Sequence, residues 1–157
     1  MRRSGPAGLL LALALLPACA SDYALPAEPP EDFQLVVEGR QVLDPLCDFT
    51  LTMGVDGKLL YDVHHRGEQP SDRRGAETTT PGSARAVWDA LVASGILERP
   101  GLPPSEEPVP AGYLVFRLTS DGLVKTVASE SGADPAFDAV LQALLAAGPD
   151  RLLVPPK

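Results

Sequence analysis

Residues 49–63 (FTLTMGVDGKLLYDV) and 114–128 (LVFRLTSDGLVKTVA) align along their whole length at an offset of 65, and each turns on an Asp-Gly pair. Asp-Gly between alternating apolar residues is a strong local signal for a β-hairpin, so the chain is committed to antiparallel pairing twice. In the first hairpin a two-residue turn would set Met53 opposite Leu60 and mix the two faces. A three-residue loop, Val55-Asp56-Gly57 with Gly57 left-handed, instead sets Met53 opposite Leu59, Leu51 opposite Tyr61, Phe49 opposite Val63 and Cys47 opposite His65. This register gathers the apolar side chains and is the one expected. Applied to the second hairpin, the same loop gathers Leu114, Phe116, Leu118, Val124 and Ala128 with Thr126. Leu60, Leu123 and Val127 then project from the other face, among Thr52, Asp62, Arg117 and Lys125.

A helix pattern follows each hairpin. After the second, Asp134 is an N-cap, Pro135 fits the first helical position, and Phe137, Val140, Leu141, Leu144 and Leu145 share one face before Gly148-Pro149. After the first, Thr80 caps, Pro81 enters, and Ala84, Val87, Trp88, Leu91 and Val92 form the stripe ahead of Gly95. Trp88 lies on that stripe and is expected in the core. Residues 33–38 (FQLVVE) have strand composition, and residues 75–79 are a candidate edge strand at the end of a long polar stretch, 66–79. Residues 98–111, with five prolines, read as a stiff connection.

Elements with one apolar face each are most simply satisfied by two layers. The expected fold is α+β: an antiparallel sheet from an N-terminal strand and two hairpins, with two helices packed on one face in a ββα-ββα pseudo-repeat. It spans a single domain, 33–150, followed by a tail, 151–157. The other sheet face is open to solvent or to a partner, which makes Leu60, Asp62, Arg117, Lys125 and Val127 the candidate binding residues, together with residues 66–79.

The N-terminus carries a targeting pattern. Met1-Arg2-Arg3 is a positive n-region, and residues 7–16 are an apolar run of about ten, too short for a spanning helix of about twenty. The following Leu16-Pro17-Ala18-Cys19 resembles the bacterial lipoprotein signal, the lipobox. That resemblance implies a signal peptide over 1–18, a lipidated Cys19 as the mature N-terminus, and a proline-rich tether through residue 32. Two acyl attachments give stable anchoring where one chain does not. Ala18-Cys19-Ala20 is also an A-x-A site for ordinary cleavage, which would discard Cys19 and release a soluble product. Ala20 and Ser21 lack the acidic inner-membrane retention signal, which favours the outer membrane of the cell envelope, although Asp22 weakens that distinction.

The net charge of −8, or −10 once Arg2 and Arg3 are removed, repels phosphate backbones and anionic headgroups, so no nucleic-acid partner is expected. With Cys19 lipidated, Cys47 is the only free thiol. Paired with His65 it would make a thiolate nucleophile, but the sequence offers no orienting residue or oxyanion donor, so a half-buried structural thiol is expected. Adjacent His64 and His65 point to opposite faces of a strand, and no third histidine exists, so no metal site is expected. Asp48 and Asp62, or Glu106 and Glu107, would be paired acids for glycoside chemistry, but nothing in the sequence fixes their separation and solvated loop charges are expected. There is no nucleophile elbow, zinc-protease motif, phosphate loop or dinucleotide fingerprint. No catalytic residue and no cofactor are expected.

The two Asp-Gly hairpins, Thr80-Pro81 with Trp88 and Leu91, and Lys125-Thr126-Val127 leading to Asp134-Pro135 resemble uncharacterised bacterial exported and lipoprotein domains with two hairpin-helix units. Many of those domains carry paired cysteines before the first hairpin, where this chain has only Cys47. Residues 113–145 are also similar, more faintly, to emfourin-type inhibitors of thermolysin-like metalloproteases. The expectation is a lipid-anchored envelope lipoprotein whose small non-catalytic domain binds another protein. The alternatives are a proteinaceous inhibitor of a secreted metalloprotease and a thiol-dependent enzyme using Cys47 and His65.

Overall fold

The computed structural model describes residues 26–42, 46–67, 70–103, 107–150 and 152–154; Cys19 and the targeting segment lie outside them. Strands β1 (Gln34–Val42), β2 (Cys47–Gly54), β3 (Lys58–His65), β4 (Ser71–Thr78), β5 (Tyr113–Ser120) and β6 (Leu123–Glu130) form one antiparallel sheet in the order β4-β3-β2-β1-β5-β6. Helices α1 (Pro81–Ser94) and α2 (Pro135–Ala146) pack beside each other on one face, which gives the α+β class. The core takes alternate strand residues, Leu35 and Val37, Phe49, Leu51 and Met53, Leu114, Phe116 and Leu118, and seals them with the helix stripes. Two aromatic pairs fasten the layers, Phe33 with Trp88 at 5.2 Å and Phe116 with Phe137 at 4.8 Å. Such pairs add about 0.5–1.5 kcal/mol each beyond the area they bury.

β1 is central because it pairs on both sides, with β2 and β5. Gly39 lets the Phe49 ring cross it: a Cβ there would stand 2.6 Å from that ring. The β1–β2 register then shifts between Gly39 and Val42, where Gln41 takes a φ of 51° and donates its amide to Asp48 Oδ1 at 2.8 Å. This is a β-bulge pinned by a side chain.

The first hairpin has the expected register, Met53 opposite Leu59 through Cys47 opposite His65, with Gly57 left-handed at φ 75°. The second does not. Its loop is the two-residue Asp121-Gly122 turn, with φ 51° and 72°, which pairs Leu118 with Lys125 and Phe116 with Val127. A primed turn of this kind matches the twist of the flanking strands. A remote carboxylate also holds it, since Asp32 accepts from the amides of Asp121 (2.7 Å) and Gly122 (2.6 Å). A one-residue change of register moves every side chain of β6 to the opposite face. Val127 is therefore core, 2% exposed, and Val124 is outward, 63% exposed.

β4 begins at Ser71, four residues earlier than expected, and pairs with all of β3. Tyr61 lies across Gly75, its Cζ 2.7 Å from where a Cβ would stand, and so fills the place of the missing side chain. Charges at Asp72, Arg73, Arg74 and Glu77 guard this edge strand against pairing with another chain.

In α2 the Asp134 side chain accepts from Ala136 N at 3.0 Å, as an N-cap should. In α1 Thr80 occupies the cap position without a side-chain cap bond; its hydroxyl lies 3.4 Å from Ser83 Oγ. Val92 is exposed rather than on the buried stripe. Gly95 ends the helix at φ 64°, its amide bonded to Val92 O.

Three stretches expected to be peripheral are bound to the domain. The Trp88 indole N–H donates to Pro26 O at 3.0 Å and Arg85 lies 3.6 Å from Glu28, so residues 26–32 are docked on α1 rather than free as tether. Leu152 and Leu153 are buried, and Arg73 donates to Leu152 O at 3.2 Å. The proline-rich connection runs along the β6 edge, with Leu102 N donating to Thr126 O at 2.8 Å. It returns over the outer face, where Val109 O accepts from Arg40 at 3.4 Å. No described helix is long and apolar enough to cross a membrane.

Candidate functional site

The outer face of the sheet falls into two halves. On the β2-β3-β4 half, successive strands place Thr50, Asp62 and Arg74 in one row and Asp48, His64 and Asp72 in the next. Asp62 Oδ2 accepts from Arg74 Nε at 3.0 Å, and this bond holds the Asp62 carboxyl below its ordinary value and the Arg74 guanidinium above its own. The other oxygen, Asp62 Oδ1, has no hydrogen-bond partner and lies 3.2 Å from His64 Nε2. His64 Nδ1 meets Asp72 Oδ1 at 2.9 Å. Asp48 pairs with Arg66 and also accepts from Gln41. Asp48 and Asp62 are thus each tied to an arginine of their own.

On the β1-β5-β6 half, the proline-rich connection bridges over the sheet and leaves a cleft of about 440 Å³. Leu102, Pro108, Val109, Val115 and Val124 supply apolar walls. Arg117 and Glu38, 4.0 Å apart, supply a polar floor. Mainly apolar walls with a few placed polar groups are what small binding sites have in common.

Of the candidate binding residues, Leu60, Asp62 and Arg117 lie on this outer face, with Leu60 44% exposed. They do not converge. Arg117 on β5 is separated from Asp62 and Leu60 on β3 by β1 and β2, a distance of about 14 Å at ordinary strand spacing. Lys125 and Val127 are on the opposite face as a result of the second hairpin's register, and the Lys125 ammonium donates to Leu97 O beneath the helices. The residues that replace them outside, Val124 and Thr126, line the cleft. Their signal in the sequence was ambiguous, because LVKTVASE carries apolar residues in both alternations. Most of the polar stretch 66–79 is strand β4, Ser71 to Thr78, longer than the edge strand expected over 75–79.

Cys47 and His65 are cross-strand neighbours on the helix side, both buried. Burial first, and the nearby Asp48 charge second, push the thiol up to about 11, and its Sγ lies 3.6 Å from Val42 O as a donor. Burial also lowers His65, with Arg73 adding to the effect, and neither ring nitrogen has a hydrogen-bond partner. A protonated thiol beside a neutral imidazole is the reverse of an activated thiolate-imidazolium pair. Among the described residues no group of three or more His, Cys, Asp or Glu is arranged to hold a metal ion. No family model matches the chain, and no curated protein matches its sequence.

Proposed function

We propose that this chain is a lipid-anchored cell-envelope lipoprotein, carrying lipid on Cys19 in the outer membrane, whose small domain binds another protein without catalysis. The observation that supports this reading best is the cleft between the proline-rich connection and the outer sheet face, with Val124 exposed and Arg117 on its floor. An apolar side chain of a partner would enter the cleft, and an acidic neighbour on that partner would meet Arg117. The acidic chain keeps nucleic acid and anionic surfaces away from this face. The second reading, protease inhibition, would place residues 66–79 or 98–111 in a substrate cleft; with 71–78 folded into the sheet, that role would fall to 98–111.

The test is cross-linking of the intact envelope in cells making the full-length precursor, with co-isolated proteins identified by mass spectrometry. A recurrent partner in amounts comparable to the bait is expected, and Val124→Asp and Arg117→Glu are expected to lose it. Capture that survives both substitutions would remove the cleft from the reading. A partner that disappears only in a Cys19→Ala form would be held by the shared membrane instead of by the domain.

A further inference from the structure

Both hairpin tips sit at the same end of the sheet, and the N-terminal segment is fastened to both. Phe33 O accepts from Val55 N at 3.1 Å on one tip, while Asp32 accepts from Asp121 and Gly122 on the other. Upstream, Pro26 is held by Trp88, whose ring touches Phe33. The described chain therefore begins on α1 at Trp88, one ring away from Phe33 at the tip end. Only six residues separate Pro26 from Cys19, so the path between them is at most about 25 Å even when fully extended. The headgroup layer of a leaflet takes up about 5–8 Å of that reach. A domain of this size is roughly 35 Å across. With its opposite end on the bilayer, Pro26 would lie beyond the reach of its own lipid.

Apolar side chains stand in solvent at both ends of the sheet, with Leu46 and Tyr113 exposed at the far end, so it is the reach of the tether that selects the tip end. Val55 at the first tip is 37% exposed and Leu123 at the second is 54% exposed. Glu31 and Asp56 line the same hollow as Val55, and Asp121 stands two residues before Leu123, which disfavours an anionic surface and leaves a zwitterionic one. We propose that the hairpin-tip end is a bilayer-contact surface, in which Val55 and Leu123 rest in the headgroup layer of a zwitterionic phospholipid leaflet once Cys19 carries its lipid. This rests on the lipid-anchor reading above. Two side chains are too few to recruit the protein; they orient a domain that the lipid already holds. The strands then stand away from the membrane, and the cleft opens sideways along it.

Full-length protein, processed in a host with lipoprotein maturation, would carry Leu123→Cys or, in the turn beyond the other end of β6, Ala133→Cys. Each would be labelled with an environment-sensitive fluorophore and reconstituted into phosphatidylcholine vesicles bearing a headgroup quencher. The buried, protonated Cys47 does not compete for label. The label at position 123 is expected to lose most of its emission and the label at 133 to keep its own. Equal or reversed quenching, in protein whose intact mass includes the diacylglyceryl group, overturns the orientation alone. A mass without that group overturns the anchor reading, and the orientation falls with it.

Discussion

The β2–β3 and β5–β6 hairpins begin from nearly the same sequence and end in different registers. Each rises on alternating apolar residues and turns at Asp-Gly, yet one closes through three residues and the other through two. In the first, Asp56 serves its own loop by accepting from Lys58 N at 3.0 Å, and only Gly57 has to be left-handed. In the second, both turn residues are left-handed and their amides point at Asp32, about ninety positions earlier in the chain. An Asp-Gly pair thus specifies that a hairpin exists. Which hairpin it becomes depends on the partners its amides find and on whether the returning strand has one apolar face or two.

A charge placed on each face of β6 separates the two registers by the largest effect. Val127→Asp buries a carboxylate without a partner and is expected to destabilise the domain by about 3 kcal/mol or more, enough to unfold much of it. Val124→Asp is expected to stay within about 0.5 kcal/mol of the parent in the same urea titration. The opposite order would restore the three-residue loop. Next in size is a methyl group at the turn glycines. A Cβ on Gly57 would stand 2.8 Å from Thr80 O, in addition to its positive φ, whereas one on Gly122 meets nothing within 4 Å. Gly57→Ala is therefore expected to cost about 2–4 kcal/mol and Gly122→Ala about 1–2 kcal/mol, read as shifts of denaturation midpoint. Equal costs would mean that the two turns carry the same strain.

The hairpins also separate by pH. His65, at the base of the first, has a lowered folded pKa, so its contribution is fully present above about 6.5 and is lost as pH falls through the lower folded value. Melting temperature is expected to decline in mildly acid buffer, and His65→Leu is expected to flatten that decline. Asp32, at the tip of the second, is lowered by the Gly122 amide first and the Asp121 amide second. Its contribution is present above about 3.9 and fades as pH falls through the folded value. Asp32→Asn should remove that strongly acid step while leaving the His65 step unchanged, and a loss of both would couple the two ends of the sheet.

What the sequence made legible is local. The first hairpin's register, the Pro135 start of α2 with its Asp134 cap, and the core place of Trp88 all follow from neighbours within one turn or one strand pair. The missed features depend on distant residues. Asp32 chooses the second turn, Tyr61 makes Gly75 tolerable in β4, and Thr126 gives the proline-rich connection its landing point. The same holds for the site. The outer-face positions of Leu60, Asp62 and Arg117 follow from strand alternation, whereas the cleft could not be read because its walls come from segments that alternate weakly or not at all.

Trp88 is the only tryptophan in the chain, and its buried indole donates to the carbonyl of the residue at which the described N-terminal segment begins. The protein therefore carries its own optical gauge. Emission from a shielded, hydrogen-bonded indole responds to unfolding, and a smaller change marks the undocking of Pro26 while the sheet remains intact. Tension applied to the chain upstream of Pro26 would reach this indole before it reached any strand, and the intrinsic fluorescence would then report that tension without an added probe.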